Sequence, residues 1–500
     1  MFISGDPVTY EDAIQSEEWT DAIKKELDAH EKMKTWEECD EVPKEYCPID
    51  TKWVFRTKEN NVKKARLVAK GYQEKTEEQI YSPVARLSTV RLLLSLSVQK
   101  KWKVTQMDVP TAFLNGKLEK SVYIKIPKGL KKCRGSVLKL NRALYGLKEA
   151  PKCWNETFNK FAENIGFTRS KHDVCLYTKE KCIMLLYVDD ILLIGEETDK
   201  TVMELKTQFN TRDMGILSTF LGIEFEYKDD KLQFSQKSMI IKILEKFGMS
   251  QCNGASTPLE PNFIVTKEDE MELVDVPYRE LIGSLLYVSM GSRPDITYAV
   301  SYLSRYLDKP NNKVWVAAKR VLRYLRATQS MSMVYEKTEN MQLIGYSDSD
   351  WAADPTNRKS VTGSVIFFCG NPVAWFSKKQ NCVTLSSTEA EYVAGSLVSA
   401  ELIALKGIVK DLTNQQVDTV LLMDNQGAIK ISQNYENSKR SKHIDVKYHF
   451  LKDSVQKKLI LIQYVDTKKN IADIMTKALG RCIFSVHLVS LKLVAGDNCP

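Results

Sequence analysis

The chain has 500 residues, which at roughly 150 residues per domain predicts about three domains. Hydrophobic residues make up 43% and charged residues 27% of the chain, and this balance excludes a disordered or collagen-like protein. The formal net charge of +8 is small for this length, so it permits a polyanionic partner without requiring one.

Neither a membrane span nor a signal peptide is expected. The best apolar stretch, residues 392–409, is interrupted by Glu401 and Lys406. The residues that follow Met1 have neither the basic nor the long apolar region of a secretory signal. The 11 cysteines include no Cys-x-x-Cys pair, which indicates reduced thiols in an intracellular protein.

The N-terminal residues predict a helix followed by a basic surface. Apolar residues recur at near-helical spacing from Ile14 to Leu27, so residues 1–45 are expected to be a helical lead-in. Cations then dominate from Lys52 to Lys70, with aromatic residues interleaved. This segment is either the solvated face of a hairpin or a surface that meets phosphates.

Two acid-bearing elements follow. The segment Val104–Asp108 predicts a buried strand that ends in an acid, and residues 183–195 predict a hairpin with Asp189 and Asp190 at its turn. Adjacent carboxylates between apolar strands are costly unless their charge is compensated. Either the exposed hairpin tip is solvated, or metal ions bind, since Mg²⁺ prefers a few carboxylate oxygens and leaves room for substrate phosphates.

The C-terminal half predicts helices and then an α/β domain. Helices are expected over 235–247 and within 277–328, with a loop over 251–275 between them. From residue 341, strand-like segments alternate with a helix that begins near Thr388. Four acids lie next to these elements: Asp348, Glu389, Asp424 and Asp473. Taken singly, each is equally well explained as a helix-start or turn residue.

Five motifs in chain order resemble the reverse transcriptase of copia-type LTR retrotransposons. They are a basic fingers strand, a first catalytic motif, a template-contacting segment, a catalytic box and a primer-gripping hairpin: Lys64–Gly71, Gln106–Gly116, Leu144–Pro151, Tyr187–Asp190 and Phe220–Glu224. The Tyr-Val-Asp-Asp box alone is a weak signal, whereas five motifs in the family's order are specific.

The resemblance implies roles for individual residues. Asp108, Asp189 and Asp190 would hold two Mg²⁺ or Mn²⁺ ions for nucleotidyl transfer. Arg66, with Lys64 as the second choice, would clamp phosphates, and the alternative for both is an ordinary surface cation.

Three more residues match positions near the incoming nucleotide. Phe113 matches the steric gate that rejects a ribose 2′-hydroxyl, with a plain core aromatic residue as the alternative. Tyr145 and Gly146 match positions beside the nascent base pair. Gly146 would let the backbone approach the substrate, and a simple turn glycine is the alternative.

The second group of acids resembles the Asp-Glu-Asp-Asp set of the ribonuclease H domain in the same family. Its members would be Asp348, Glu389, Asp424 and Asp473, which would hold two divalent ions for RNA hydrolysis. Four surrounding motifs also match: Arg358–Ser360, Trp375–Gln380, Lys442–His449 and Ala472–Lys477. Three neighbouring acids are predicted to lie off the metal-facing position: Asp350, Asp354 and Glu391.

The resemblance covers about residues 6–485 and implies a fold. We expect an α+β right-hand polymerase with fingers, palm and a helical thumb or connection, followed by an α/β ribonuclease H-like domain. The predicted limits are a lead-in, fingers and palm, thumb and connection, ribonuclease H-like domain and tail: 1–45, 46–250, 251–340, 341–485 and 486–500.

The implied function is RNA-directed DNA polymerase with ribonuclease H activity. Implied partners are an RNA template, a DNA primer, an RNA–DNA hybrid, dNTPs, other Pol polyprotein regions and Gag particles, with no membrane. The expected compartment is the cytoplasm or the nucleus. The chain shows no protease, integrase or nucleocapsid motif, so it is expected to be the C-terminal part of a longer polyprotein or a degraded genomic copy.

Three departures from the family pattern favour an alternative. Pro110 replaces a usual basic residue, Glu149 replaces a usual glutamine, and the fingers around 58–82 are a few residues short. Proline removes an N–H donor, and Glu149 adds negative charge near phosphates. The alternative is a catalytically impaired relic that still binds nucleic acid.

Overall fold

The computed structural model describes residues 5–58, 61–74, 82–130, 135–266, 268–354, 357–433 and 449–495. Its α-helices are α1 (Tyr10–Ala13), α2 (Glu17–Lys32), α3 (Leu87–Lys100), α4 (Ala150–Asn164), α5 (Asp199–Phe209), α6 (Lys237–Lys246), α7 (Tyr278–Gly291), α8 (Thr297–Leu303), α9 (Asn312–Ala327), α10 (Ser387–Thr413), α11 (Gln426–Gln433), α12 (His449–Gln456) and α13 (Arg481–Ser490).

Its strands are β1 (Trp36–Cys39), β2 (Thr51–Thr57), β3 (Lys63–Ala69), β4 (Val104–Asp108), β5 (Lys117–Lys125), β6 (Val137–Arg142), β7 (Thr168–Arg169), β8 (Leu176–Lys179), β9 (Cys182–Tyr187), β10 (Asp190–Gly195), β11 (Arg212–Ile216), β12 (Thr219–Phe220), β13 (Ile223–Lys228), β14 (Lys231–Ser235), β15 (Ser332–Tyr335), β16 (Gln342–Asp350), β17 (Val361–Phe368), β18 (Asn371–Lys379), β19 (Asp418–Met423), β20 (Leu461–Tyr464) and β21 (Leu493–Val494).

The chain forms two compact units. Unit 1 comprises Met1–Ala85 and Thr105–Gly215, and unit 2 comprises Arg86–Val104 and Ile216–Pro500. These two units are defined by the contacts between residues, and they do not correspond to the five predicted segments. The segment limits derived from the sequence therefore stay predictions. Parts of the fingers segment 58–82 and of the motif 442–449 lie outside the described residues.

In unit 1, helix α2 packs on the basic hairpin. Strands β2 and β3 pair in antiparallel register, with Val54 opposite Arg66. Alternate residues of β3, including Ala65 and Leu67, are buried in a cluster with Trp19 of α2. The predicted helix is therefore confirmed over Glu17–Lys32, where an acidic first turn and a basic last turn suit the helix dipole.

The larger part of unit 1 is a six-stranded sheet in the order β11-β4-β10-β9-β8-β7. Strands β9 and β10 form the predicted hairpin, with Tyr187 opposite Asp190. Strand β4 lies beside β10, and it ends at Asp108 as predicted. Aromatic side chains of α4 and α5, among them Phe158 and Phe209, belong to the core cluster that includes Met184 of β9. The sheet therefore carries three acids on adjacent strand ends.

Unit 2 contains a five-stranded mixed sheet in the order β18-β17-β16-β19-β20. Strands β16, β17 and β18 are antiparallel, whereas β19 and β20 run parallel to β16. Helix α10 packs across β16, where Gly345 faces Leu402 so closely that an added Cβ would lie 2.9 Å from its Cδ1. This α/β arrangement agrees with the predicted ribonuclease H-like domain.

Helix α3 is unexpected in its location, since it precedes β4 in sequence but belongs to unit 2. Its Arg91 is buried and stacks on Trp375 at 3.7 Å from the ring centroid. The guanidinium donates to the carbonyl of Met290 and, at 3.1 Å, to that of Gly291. Arg91 thereby joins α3, α7 and β18, a contact that periodicity cannot reveal.

Within the described residues, one helix is long and apolar enough to cross a membrane by length and composition alone. This is α10, whose most apolar window is 61% buried inside the protein. A core helix of this length passes the same test, so the finding is weak evidence for a membrane span.

Candidate active sites

Three acids of unit 1 lie together at the end of β4 and the tip of the β9–β10 hairpin. The amide of Val109, directly after Asp108, donates to the Asp189 carbonyl at 2.8 Å. Burial raises the pKa of the Asp189 and Asp190 carboxyls, and the negative charge of Asp108 raises both further. The sheet therefore concentrates negative charge where the sequence predicts a metal site.

The hairpin turn at these acids is strained. Val188 has a φ of 57°, a left-handed conformation that is costly for a β-branched residue. The indole of Trp154 on α4 donates to the Val188 carbonyl at 2.7 Å and holds the turn. The strain is compensated by this packing, which fixes the direction of the following carboxylate.

Asp189 is engaged by two neighbours. The Tyr145 hydroxyl donates to its Oδ2 at 2.8 Å, and Nη2 of Arg66 lies 3.5 Å from the same oxygen. The other oxygen, Oδ1, is buried and has no hydrogen-bond partner in the described part of the chain. A buried carboxylate oxygen without a donor suits a bound cation, so the donor set fits a hard divalent ion.

Gln106 was not predicted, although it completes this group. Its Nε2 donates to Oδ1 of Asp190 at 3.1 Å. Gln106 lies two residues before Asp108 on β4, so both side chains point to the same face of the sheet. That spacing is the signal that could have identified it.

The structure brings the other predicted nucleotide-contacting residues to the same place in unit 1. The ring of Phe113 is buried and lies 4.5 Å from the ring of Tyr145. Burial and the charge of Arg66 lower the pKa of Lys64, whereas the nearby charge of Asp108 raises it. Both readings of Phe113, a steric gate and a core aromatic residue, agree with this position.

Gly146 is required by the fold itself. Its φ is 93°, and an added Cβ would lie 2.1 Å from the carbonyl oxygen of Ala69. The Ala69 amide donates to the Tyr145 carbonyl at 2.7 Å, so β3 runs directly against this segment. The glycine permits backbone to approach backbone here, and contact with a substrate stays a prediction.

Pro110 directly follows the hydrogen bond that joins β4 to the hairpin tip. The amide that joins β4 to the hairpin tip belongs to Val109, one residue earlier. Glu149, at the N-cap of α4, has its Oε1 4.0 Å from Nζ of Lys120. Neither departure displaces a predicted carboxylate.

A second group of acids lies in unit 2. Asp348 is on β16 and Asp424 follows β19, the parallel neighbour of β16, so both acids occur at the same edge of the sheet. Together with Glu391 of α10 they offer oxygens that all lie within 4.8 Å of one another. Among the described residues, this is the set of acids compact enough to hold one ion.

The structure corrects the choice of Glu389. Its Oε2 accepts from the Leu385 amide at 2.7 Å, while its own amide donates to the Ser386 hydroxyl at 3.2 Å. Glu389 is therefore engaged in capping the start of α10, where Ser386 is the N-cap residue. Residues two apart on a helix differ by about 200° around its axis, so Glu391 points to Asp348 and Glu389 does not.

Asp473 reaches Asp348 from a segment that packs on β17. It lies in a short 3-10 helix, Ile471–Met475, which packs on Gly363, the residue opposite Asp348 in the strand register. An added Cβ on Gly363 would lie 2.8 Å from the Ala472 carbonyl oxygen. The absence of a side chain at Gly363 therefore allows the helix that carries Asp473 to lie close to Asp348.

Two residues near Asp473 were also not predicted. Thr476 donates its hydroxyl to Oδ2 of Asp348. Nζ of Lys477 lies 3.0 Å from Oδ1 of Asp473, four residues earlier, and the pair is partly exposed. The spacing of four residues is the only sequence signal for this ion pair.

The electrostatics of the second site favour a cation. Burial raises the pKa of Asp348, Glu391, Asp424 and Asp473, and repulsion among these carboxylates raises it further. Oε2 of Glu391 is buried and has no hydrogen-bond partner among the described residues. The donor set therefore fits a divalent ion bound through oxygen ligands.

Comparisons with known proteins find similar sequences over most of the chain. Residues 33–261 match the family described as reverse transcriptase (RNA-dependent DNA polymerase). The chain is 36% identical to the retrovirus-related Pol polyprotein from transposon TNT 1-94 of Nicotiana tabacum, over 93% of this chain and 37% of that protein. It is 34% identical to the corresponding polyprotein from transposon RE1 of Arabidopsis thaliana, over 96% of this chain and 34% of that one.

Two further similarities are more distant. The chain is 26% identical to the Ty1-DR6 Gag-Pol polyprotein of Saccharomyces cerevisiae, over 94% of this chain and 29% of that protein. A foamy viral protease–reverse transcriptase, solved in complex with double-stranded DNA, matches with a TM-score of 0.50 and 13% identity. The match covers 90% of this chain and 70% of that chain, and it shows the fold.

The fold is that of a reverse transcriptase with an α/β domain after the polymerase, as predicted. Residues 33–261 are thus similar to reverse transcriptases, and nearly the whole chain is similar to part of the retrovirus-related Pol polyproteins of two plant transposons. It spans 37% and 34% of the length of the two plant relatives.

Proposed function

We propose that this chain is an RNA-directed DNA polymerase that also cleaves the RNA strand of an RNA–DNA hybrid. One observation carries the proposal: each unit holds its own group of carboxylates, in which burial raises the pKa of Asp189 and of Glu391. Each of these two residues has one buried oxygen without a hydrogen-bond partner among the described residues. Such groups persist when a bound cation or a charged substrate compensates them.

In unit 1, the proposed ligands of the divalent ions are Asp108, Asp189 and Asp190. Bound ions would lower the pKa of the primer 3′-hydroxyl and stabilise the triphosphate oxygens. Arg66, and next to it Lys64, would bind the triphosphate, because both cations lie on the strand that faces these acids. Phe113 and Tyr145 would border the sugar and base of the incoming dNTP, next to Gly146.

In unit 2, the proposed ligands are Asp348, Glu391, Asp424 and Asp473. The first three are close enough to share one ion, and Asp473 adjoins Asp348. Thr476 donates to Asp348, and Lys477 forms an ion pair with Asp473. This arrangement suits hydrolysis of an RNA phosphodiester.

The substrates that follow are dNTPs, an RNA template with a DNA primer, and an RNA–DNA hybrid, with Mg²⁺ or Mn²⁺ as the metal. Further Pol regions and Gag particles are proposed partners, because relatives named Pol and Gag-Pol polyproteins are longer than this chain. We also propose the cytoplasm or the nucleus as its compartment. The described cysteines are free thiols, which suits a reducing environment.

The test assays both activities in the full chain. DNA synthesis is measured on poly(rA)/oligo(dT) with dTTP, and RNA cleavage on a labelled RNA–DNA hybrid, each with Mg²⁺, with Mn²⁺ and with EDTA. We expect both activities with metal and neither with EDTA. Asp189→Asn should stop synthesis and spare cleavage, whereas Asp424→Asn should stop cleavage and spare synthesis. Asp308→Asn, at an exposed aspartate, is the matched control.

Each outcome separates the proposal from its rivals. Binding of the primed template without dTTP incorporation or RNA cleavage would identify the impaired relic. Cleavage that Asp424→Asn abolishes, without any synthesis, would identify a nuclease with an inactive polymerase site. Loss of both activities in either variant would contradict two independent sites.

A further inference from the structure

We propose that Glu26 of α2 is a positioning residue for the phosphate clamp, because it fixes the strand that carries Lys64 and Arg66. The inference rests on the proposed polymerase function and deepens it. It also assigns a role to residues 17–32, which precede the segment matched by the reverse transcriptase family.

The first observation is the location of Glu26 on the packed face of α2. Trp19, Ile23 and His30 lie on the same face and are buried against the hairpin or against Trp36. Glu26 belongs to this stripe at spacings of three and four residues, and its side chain is only 12% exposed. An acid in such a stripe is costly unless it accepts hydrogen bonds.

The second observation is a hydrogen bond that the Glu26 carboxylate accepts from β3. Oε1 of Glu26 accepts from the Leu67 amide at 3.1 Å. Leu67 follows Arg66 on β3, and β3 is the edge of a two-stranded sheet. Among the described residues its outward amides have no strand partner on that side, so Glu26 takes the place of a strand at this position.

The third observation is a second hydrogen bond on the same edge of β3, two residues after Leu67. The Ala69 amide donates to the carbonyl of Tyr145, the residue whose hydroxyl contacts Asp189. Glu26 and Tyr145 therefore hold the same edge of β3 at successive outward positions. A two-stranded hairpin is marginally stable alone. We infer that these two hydrogen bonds set the distance between the hairpin and the carboxylates of Asp108 and Asp189.

Successive side chains of β3 point to opposite faces of the hairpin. Ala65 and Leu67 point to α2 and are buried, so Lys64 and Arg66 point to the opposite face. That face meets Asp108 and Asp189. A shift of β3 after loss of the Glu26 acceptor would move both cations away from a bound triphosphate without changing any group that contacts it.

The experiment measures the KM and kcat for dTTP in the full chain on poly(rA)/oligo(dT). We expect Glu26→Ala to raise the KM for dTTP on the order of tenfold, with a smaller change in kcat, because one charge-assisted hydrogen bond is lost. Glu26→Asp should act in the same direction, since its shorter side chain does not reach the amide. Glu26→Gln should restore near-normal KM, because its amide oxygen still accepts.

A double-mutant cycle distinguishes positioning from general destabilisation. If Glu26 acts through the clamp, Glu26→Ala should raise the KM less in Arg66→Ala than in the wild-type chain, because only Lys64 is then left to displace. Hybrid cleavage, which is proposed to use unit 2, should stay at the wild-type rate in every variant and report that unit 2 is folded. An unchanged thermal unfolding of Glu26→Ala should report the same for unit 1.

Several results would overturn the inference. These are an unchanged KM in both Glu26→Ala and Glu26→Asp, an additive effect with Arg66→Ala, or a Glu26→Gln variant as impaired as Glu26→Ala. A wild-type chain without any dTTP incorporation would instead contradict the proposed function itself.

Discussion

Nη2 of Arg66 lies 3.5 Å from Oδ2 of Asp189, and the Tyr145 hydroxyl donates to the same oxygen at 2.8 Å. A cation from the hairpin thus contacts a carboxylate that is proposed to hold a metal ion. The guanidinium also stacks on Tyr145, 4.7 Å from the ring centroid. In this arrangement Arg66 compensates the Asp189 charge, and an incoming triphosphate would compete for the same guanidinium.

The first prediction concerns Arg66. Its ion pair with Asp189 is partly exposed, so its contribution to stability is small. We expect Arg66→Ala to raise the KM for dTTP by roughly tenfold or more, because a charge-assisted phosphate contact is lost, while thermal unfolding changes little. Arg66→Lys should be intermediate, since an ammonium lacks the planar fork.

Steady-state primer extension at varied dTTP measures this effect. Arg56→Ala, at an exposed arginine on the paired strand, is the matched control and should keep the wild-type KM. An equal KM for wild type and Arg66→Ala would exclude Arg66 from the phosphate clamp.

The second prediction separates the two glutamates of α10. We expect Glu391→Gln to lower hybrid cleavage on the order of a thousandfold, because a buried ligand charge next to Asp348 and Asp424 is lost. Glu389→Gln should retain cleavage within about twofold, since the side-chain oxygen of glutamine can still accept from the Leu385 amide. Single-turnover cleavage of a labelled hybrid measures both, and the reverse order of effects would restore Glu389 to the site.

The third prediction concerns stability without metal. Burial, and after it the charge of Asp473, raises the pKa of Asp348 to about 6. A carboxyl with a raised pKa stabilises the fold below its unfolded pKa, and this contribution is lost as the pH rises through the folded value. In EDTA we therefore expect the protein to be more stable at pH 5 than at pH 7.5, by roughly 1–3 kcal/mol.

The pKa shifts of other groups also make stability depend on pH. Burial lowers the pKa of His487, which opposes the effect, whereas Asp424 and Asp473 act in the same direction as Asp348. Urea unfolding of unit 2 at both pH values, followed by hydrogen exchange of β16 amides, measures the difference. Asp348→Asn should reduce it and stabilise the metal-free protein at pH 7.5. Greater stability of the wild type at pH 7.5 in EDTA would contradict the prediction.

The fourth prediction concerns sugar selection. Phe113 is buried and its ring contacts Tyr145, so a smaller side chain leaves room beside the proposed dNTP sugar. We expect Phe113→Val to raise incorporation of UTP relative to dTTP by roughly tenfold or more. Phe113→Tyr, of similar width, should keep the wild-type ratio. The ratio of kcat/KM for the two nucleotides measures selection, and an unchanged ratio in Phe113→Val would leave Phe113 as a core residue.

The sequence by itself determined the local elements. The apolar runs around Asp189 and Asp190 predicted the β9–β10 hairpin, since a strand must bury alternate or consecutive apolar residues. The same argument predicted the strand that ends at Asp108 and helices over 235–247 and within 277–328, where the structure has α6 and then α7, α8 and α9. The resemblance then supplied the order of the two enzymatic segments, which periodicity alone does not give.

Only the tertiary structure decided which side chains meet. Glu389 and Glu391 are equivalent in composition and local helix propensity, and the packing of α10 on β16 selected Glu391. The contact of Gln106 with Asp190 and the approach of Asp473 over Gly363 depend on strand order and register. Helix α3 packs in unit 2 although its neighbours in sequence belong to unit 1, because burial of Arg91 and its apolar residues is achieved against β18. Contacts between residues far apart in the chain arise when the buried faces of helices and sheets pack together. The residue pattern of one segment shows which of its faces is buried, but it does not show which other segment covers that face.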